Sequence, residues 1–465
     1  MTSLVGCATL PSVRLSRELP ISRTPVTFDM EGPTGPIEPE VAIKTSEALA
    51  EYSAGTVLDG YLGLSHRSIR EPLIIGNHVE LLIDGPETYA AMFKSLKAAS
   101  RTIDLESYIF DEVEQDGMRL SALLEERVRA GVQVRVLVDG VGTMGSTISL
   151  DAWSAAGIAT CGFNPVAPSL WRPTRLNHRD HRKIVVVDGQ DAFAGGINFS
   201  RVYSLGSAGF SRSRPAEDLP ERQADALNAG WRDTQVRIEG PAARRLAELF
   251  EESWKKQDCK NPAAEVRPVP EGRQDTATVA KAGDTVVQVI PSSPDSAQNL
   301  TYISVLGAIA FAKSSIEVTM AYFVPDEQLE DELIAAAGRG VNVRLILPSF
   351  SDFDGVFYAG RYHYARLLKG GVQIFEERSA FLHAKTVVVD HIWSTVGSTN
   401  WDWRSFGLND EVSIVVIDEN FANRMRQLFE SDLQNSVPIT WEEWQERSLG
   451  ERIKERFWAT FERLL

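Results

Sequence analysis

Two stretches of the chain, HRKIVVVDGQDAFAGGIN from His181 and HAKTVVVDHIWSTVGSTN from His383, carry chemically capable residues at one shared spacing. Each places a lysine two residues after its histidine and an aspartate seven after it: Lys183 and Asp188, then Lys385 and Asp390. Gly195 and Gly397 follow at matched positions, as do Asn198 and Asn400. A chain with seven histidines would show one such H-x-K-x4-D by chance on the order of one time in forty. Two copies with matched glycine and asparagine therefore mark a duplication.

These residue types suit phosphoryl chemistry. A lysine and a carboxamide NH2 can hold the non-bridging oxygens of a phosphodiester and stabilise charge that develops there. One neutral imidazole can attack phosphorus and split a difficult displacement into two steps. A second imidazole can protonate the departing alkoxide and then activate the incoming hydroxyl. One site needs two histidines, which the duplication supplies if the halves face each other. The six residues His181, Lys183, Asp188, His383, Lys385 and Asp390 form the candidate catalytic set, with Asn198 and Asn400 as candidate substrate-binding residues. In a strand, side chains two apart share a face. His181 and Lys183 thus project together and Asp188 points away, as in the second copy, which favours a turn-anchoring role for Asp188 and Asp390. A carboxylate leads a later strand in each half, Asp233 in WRDTQVRIEG and Glu411 in LNDEVSIVVID. Either could hold the far nitrogen of a histidine and set its tautomer. The other histidines, His66, His78, His178, His363 and His391, have no repeated partner and default to surface or core. No Walker loop or metal-ligand spacing appears, so the expected mechanism uses no metal and no cofactor.

The elements that must position these residues repeat too. TIDLESYIF precedes RAGVQVRVLVDG in the first half, and SIEVTMAYF precedes GRGVNVRLILPS in the second. Between the members of each pair lies a helical period: Leu120, Leu123, Leu124 and Val128, then Leu329, Leu333, Ile334 and Ala337. This alternation predicts an α/β fold of two pseudo-symmetric halves, each a mostly parallel sheet flanked by helices. The expected organisation is an N-terminal tether over 1–65, a first half over 66–257, a linker over 258–286 and a second half over 287–465. A polar surface insertion is expected over roughly 204–230.

The chain of 465 residues has a formal charge of −16, which disfavours a general nucleic-acid binder. No apolar run is long enough to predict a membrane-spanning helix. The three cysteines, Cys7, Cys161 and Cys259, are far apart and suggest neither a disulfide framework nor a zinc site. LVGCATLP reads like a bacterial lipoprotein box with Cys7 as the lipidated residue, which requires a signal peptide upstream.

The duplicated H-x-K-x4-D-x6-G-[GS]-x-N pattern resembles the phospholipase D superfamily. Within it, YIFDEVEQDG, HRDHRKIVVVDG, FAGGIN, RDTQVRIEGPA and FLHAKTVVVD are most similar to bacterial cardiolipin synthases of the short type. The resemblance spans about residues 75–465. It implies an active site at the junction of two α/β halves, a phosphohistidine intermediate, His181 as nucleophile and His383 as general acid/base, with Asp233 and Glu411 buttressing the histidines. It implies phosphatidyl transfer from phosphatidylglycerol to the hydroxyl of a second phospholipid. Phospholipids and a bacterial membrane surface would be the partners. The family's longer members begin with spanning helices and this chain shows none, so Cys7 or a surface contact would bring it to lipid. Candidate contacts are SLWRPTRLNHRDHRK, with Trp171 and basic residues from Arg172 to Lys183, and the aromatic stretch holding Phe350, Phe353, Phe357, Tyr358, Tyr362 and Tyr364; a core helix explains the second equally well. The C-terminal WEEWQERSLGERIKERFWATFERLL is a further amphipathic candidate whose mixed charges also fit a docked helix. Rival readings are a hydrolase releasing phosphatidic acid, a phosphodiesterase or nuclease, and an inactive lipid-binding scaffold, the last disfavoured because both signatures are complete.

Overall fold

The computed structural model describes residues 13, 29–146, 148–166, 177–207, 230–260, 279–296 and 298–465. Cys7, the Trp171–Arg172 contact candidate, most of the 204–230 insertion and most of the linker lie outside the described residues.

In the first half, Thr102–Ser107, Gln133–Asp139 and Ala159–Phe163 run parallel. Lys183–Val187 pairs antiparallel with Thr102–Ser107 and with Asp191–Gly195; the sheet continues antiparallel through Thr234–Glu239 to Leu73–Ile83. The second half repeats the plan. Ser315–Met320, Asn342–Pro348 and Gln373–Glu377 are parallel. Lys385–Val389, Trp393–Gly397, Asn409–Ile417 and Thr285–Ser292 extend it antiparallel. The fold is thus α/β and duplicated, but its sheets are mixed, not mostly parallel. The cause is a tight turn inside each signature. Asp188 and Gly189 take φ of 54° and 69°, and Asp390 and His391 take 50° and 59°. Positive φ at both central residues is the hairpin geometry that returns a strand antiparallel to itself.

Leu73–Ile83 joins the halves. Its His78–Ile83 portion pairs with Thr234–Glu239, while Ile74 and Asn77 pair with Val287 and Thr285. The strand residues of each signature are buried on both faces. Val185 and Val187 face the first-half core with Ile103 and Leu105. Ile184 and Val186 enter a layer shared with Val388, Val396 and Val412 of the second half. The predicted helices form as Leu120–Arg129 and Glu327–Gly338. Leu120, Leu123, Leu124, Leu329 and Leu333 are buried.

Three expectations need correction. The described part of the 1–65 segment is not a tether: Pro39–Tyr52 and Leu58–Leu64 are helices, and the second packs on Leu300–Phe311 of the second half. A Cβ at Gly60 would sit 2.1 Å from the Phe311 ring and one at Gly307 2.1 Å from Leu64, so glycine at both positions permits the close approach. The 258–286 linker is shorter than expected, because Thr285 already begins a strand. Cys161 and Cys259 form a disulfide that fastens the strand Ala159–Phe163 to the chain just after the helix Pro241–Lys256. Among the described residues no helix is long and apolar enough to cross a membrane.

Candidate active site

The chain leading into each histidine pairs with the opposite half. Arg179–Asp180 lies parallel to Asn409 and Asp410, and the His181 N–H donates to the Asp410 carbonyl at 2.8 Å. Phe381–Leu382 lies parallel to Trp231–Arg232, and the His383 N–H donates to the Arg232 carbonyl at 2.8 Å. The next residue on each partner strand is the predicted carboxylate, so each carboxylate meets the histidine of the other half. Glu411 Oε2 is 3.0 Å from His181 Nδ1, and Asp233 Oδ2 is 2.7 Å from His383 Nδ1. Each carboxylate accepts the Nδ1 proton, which leaves Nε2 of each imidazole as the available nitrogen.

The position after each signature glycine tunes these carboxylates. In the second half it is Ser398, whose hydroxyl donates to Glu411 Oε2 at 2.5 Å. In the first it is Gly196, where a Cβ would fall 2.1 Å from Asp233 Oδ1; only glycine leaves Asp233 room. Burial pushes the Asp233 carboxyl up to about 6, against the pull of Lys385 and the Thr234 N–H. Burial also acts to raise Glu411, but His181, Lys183 and Ser398 outweigh it and hold the carboxyl below its ordinary value.

Both lysines are buried and turned toward their own histidines. Lys183 Nζ donates to the His181 carbonyl at 2.5 Å, and Lys385 Nζ donates to the His383 carbonyl. Each keeps further N–H donors for an anion. Burial lowers Lys183 to about 7 and Lys385 to about 8, in spite of the nearby Glu411 and Asp233. Burial, with Lys183 and Lys385, lowers His181 against the attraction of Glu411. Burial, Lys385, Lys183 and His181 together hold His383 well below its ordinary value. Two buried lysines beside two imidazoles whose charged forms are disfavoured by their surroundings make a site that a bound anion would stabilise.

Asp188 and Asp390 sit at the far ends of their strands, away from the imidazoles. Asp188 accepts the N–H groups of Ser100, Arg101 and Thr102 at 2.7–2.9 Å. Asp390 accepts those of Lys313, Ser314 and Ser315. The two asparagines differ. Asn198 is committed within the protein: its Oδ1 accepts from the Ile109 N–H at 3.1 Å and its Nδ2 donates to the Tyr203 hydroxyl at 3.0 Å. Asn400 is buried with its Oδ1 unpartnered among the described residues.

Several residues at the site were not singled out from the sequence. Tyr108 meets the His181 ring edge-on at 5.2 Å, and Tyr322 meets His383 at 6.4 Å. Both lie in the repeated segments TIDLESYIF and SIEVTMAYF, just after the first strand of each parallel set, where they could have been found. The Tyr203 hydroxyl lies 3.3 Å from His383 Nδ1 and has no repeated counterpart. His178 is neither surface nor simple core: its Nε2 is 2.9 Å from Asp410 Oδ1. Among the described residues no group of His, Cys, Asp and Glu is arranged to hold a metal ion.

Residues 305–433 match the family model described as "Cardiolipin synthase, PLD-like domain". The chain is 34% identical over 398 residues to the cardiolipin synthase of Geobacillus thermodenitrificans (strain NG80-2), covering 85% of this chain and 74% of that one. It is 34% identical over 393 residues to cardiolipin synthase A of Pseudomonas aeruginosa (strain LESB58), covering 84% and 74%. Its fold is similar to the crystal structure of phosphatidylserine synthase from Haemophilus influenzae Rd KW20, with a TM-score of 0.59 at 14% identity, covering 87% of this chain and 97% of that one. With that identity and coverage, the chain belongs to the cardiolipin synthase family, phosphatidyltransferases of the phospholipase D superfamily.

Proposed function

We propose that the protein transfers a phosphatidyl group through a covalent phosphatidyl-histidine on His181. Nε2 of neutral His181 attacks phosphorus of phosphatidylglycerol, the bond to the glycerol oxygen breaks, and His383 Nε2–H protonates that oxygen as glycerol leaves. Neutral His383 then takes the proton of a second phospholipid's hydroxyl, whose oxygen attacks phosphorus and breaks the P–N bond. Lys183 and Lys385 hold the non-bridging oxygens in both steps. The bound anion offsets the repulsion of the lysines on His383 and so favours its protonated form when the leaving group needs a proton.

The observation that carries this reading is the crossed histidine–carboxylate pairing and its asymmetry. A phosphorylated imidazole is cationic, and the carboxylate held ionised below its ordinary value is Glu411, on His181. That supports His181 as the nucleophile and His383 as acid/base. The names of the curated relatives support cardiolipin as the product.

The test is purified protein with labelled phosphatidylglycerol in mixed micelles containing EDTA, the products resolved by mass. Cardiolipin with released glycerol is the expected outcome. Phosphatidic acid alone would mean that water resolves the intermediate, and the reading would change to hydrolysis.

A further inference from the structure

The helix Leu449–Ala459 and the short turn Glu462–Leu464 form an apolar stripe on the outside of the molecule. Leu449, Ile453 and Phe457 recur every four residues and are 73%, 60% and 55% exposed; Phe461 and Leu464 continue the stripe. Large apolar side chains spaced this way normally face a core. Here the opposite face does so: Trp458 packs on Gly355 of the helix Asp354–Lys369, and Glu455 is buried beside it.

The mixed charges of this segment separate once the helix is placed. The three acids of the helix Leu449–Ala459 and the turn Glu462–Leu464 are used locally or inward. Glu451 caps the helix through Ser448. Glu455 pairs with Arg447 at 3.0 Å, and Glu462 lies 3.5 Å from His363. Its bases flank the stripe: Arg452 and Arg456, four apart, on one side and Lys454 on the other. All three are exposed, and none is in an ion pair with a described residue. Lys454 donates to the Tyr358 hydroxyl at 3.2 Å and lies over that ring.

The inward face of this helix leads toward the active site. Phe353, exposed at the start of the helix Asp354–Lys369, has its ring 6.4 Å from that of Trp458. The preceding residue, Asp352, accepts the Tyr322 hydroxyl at 2.5 Å, and the Tyr322 ring faces His383.

We infer that this stripe docks the protein on an anionic lipid surface, with Leu449, Ile453, Phe457, Phe461 and Leu464 entering the interface and Arg452, Lys454 and Arg456 meeting its headgroups. A half-apolar, base-flanked helix lying in the interface plane is the geometry that binds anionic bilayers. The inference rests on the phosphatidyl-transfer reading for its purpose, and on the placement of these side chains for its chemistry.

The test compares the full-length wild-type chain with the double variant I453E/F457E. Both residues are exposed, so the fold should survive, which circular dichroism would verify. Co-sedimentation with phosphatidylglycerol/phosphatidylcholine vesicles and with phosphatidylcholine vesicles would be measured, alongside turnover of a short-chain phosphatidylglycerol kept monomeric. Wild type should bind the anionic vesicles more tightly and lose that preference at high salt. The variant should bind them at least tenfold more weakly and still turn over the monomeric lipid at the wild-type rate. Equal vesicle binding by wild type and variant would overturn the inference. So would sedimentation showing a wild-type dimer that the variant converts to monomer without change in vesicle binding, because the stripe would then be a self-interface. Loss of vesicle binding in the variant, with no turnover of the monomeric lipid by either protein, would uphold the docking surface and overturn the proposed function.

Discussion

Glu411, in the second half of the chain, holds Nδ1 of His181, in the first, at 3.0 Å. The reciprocal pair, Asp233 and His383, is closed at 2.7 Å. Each signature histidine takes its carboxylate from the opposite half, so both pairs exist only where the halves meet. Both pairs are positioned by short parallel strand contacts that run from each histidine's own leader onto the opposite half.

This crossing predicts that E411Q and D233N damage chemistry more than binding. An amide in place of the carboxylate no longer fixes the Nδ1–H tautomer or stabilises the cationic imidazole. Such a loss lowers kcat by up to about 10⁴-fold in a comparable histidine–carboxylate pair. Steady-state kinetics should show the fall in kcat with KM little changed; a fall confined to kcat/KM through KM would place the carboxylates in substrate binding instead.

Asp188 and Asp390 should matter for stability and not for turnover. Asp188 accepts three backbone N–H groups at the start of Thr102–Ser107, much as a capping aspartate does. D188A should therefore cost about 1 kcal/mol in denaturant unfolding and leave kcat unchanged once folded. Burial acts to raise this carboxyl, but the bonds from Thr102, Ser100 and Arg101 hold it below its ordinary value. Its contribution is thus present above the unfolded carboxylate value and lost as pH falls through the lower folded one. A D188A enzyme with normal stability and no turnover would contradict this placement.

Anion affinity should fall as pH rises. Lys183 and Lys385 stand at about 7 and about 8, far below the ordinary lysine value of about 10.4. Below pH 7 both are ammonium ions; above pH 8 the empty site has lost their charge. A bound anion favours the charged forms, so binding takes up protons across this window. Sulfate, which does not titrate there, should inhibit less as pH rises from 6 to 9, by up to about tenfold per pH unit for each proton taken up. A sulfate inhibition constant flat across that range would rule out the depressed lysines.

The Cys161–Cys259 disulfide closes a segment with a sequence separation of 98 residues. Its reduction, or the C161A/C259A variant, should lower stability by about 2–5 kcal/mol without altering turnover well below the melting temperature. An unchanged denaturation midpoint with dithiothreitol would show that the bond carries no stabilisation.

The duplication made the candidate site residues legible, because His, Lys and Asn repeat at matched offsets in both halves. The antiparallel hairpins are signalled in the sequence by little more than Asp188-Gly189, a turn pair that the repeated helix–strand alternation outweighs. The crossed pairing left no local trace, since it joins residues more than 100 positions apart. The helix Pro39–Tyr52 buries only Ala42 and Ser46, too little apolar periodicity to distinguish it from a tether. The disulfide had no framework spacing, and Tyr203, present in one half only, had no repeat to mark it.

Trapping the intermediate decides whether His181 is the nucleophile. A phosphatidyl ester of p-nitrophenol needs no acid to expel its leaving group, so the H383A variant can be phosphatidylated yet lacks the base that resolves the product. H383A should release a burst of about one nitrophenolate per site and gain the mass of one phosphatidyl group on the peptide containing His181, and H181A should show no burst. A phosphatidyl adduct on His383, or steady turnover of this ester by H181A at the wild-type rate, would contradict that role for His181.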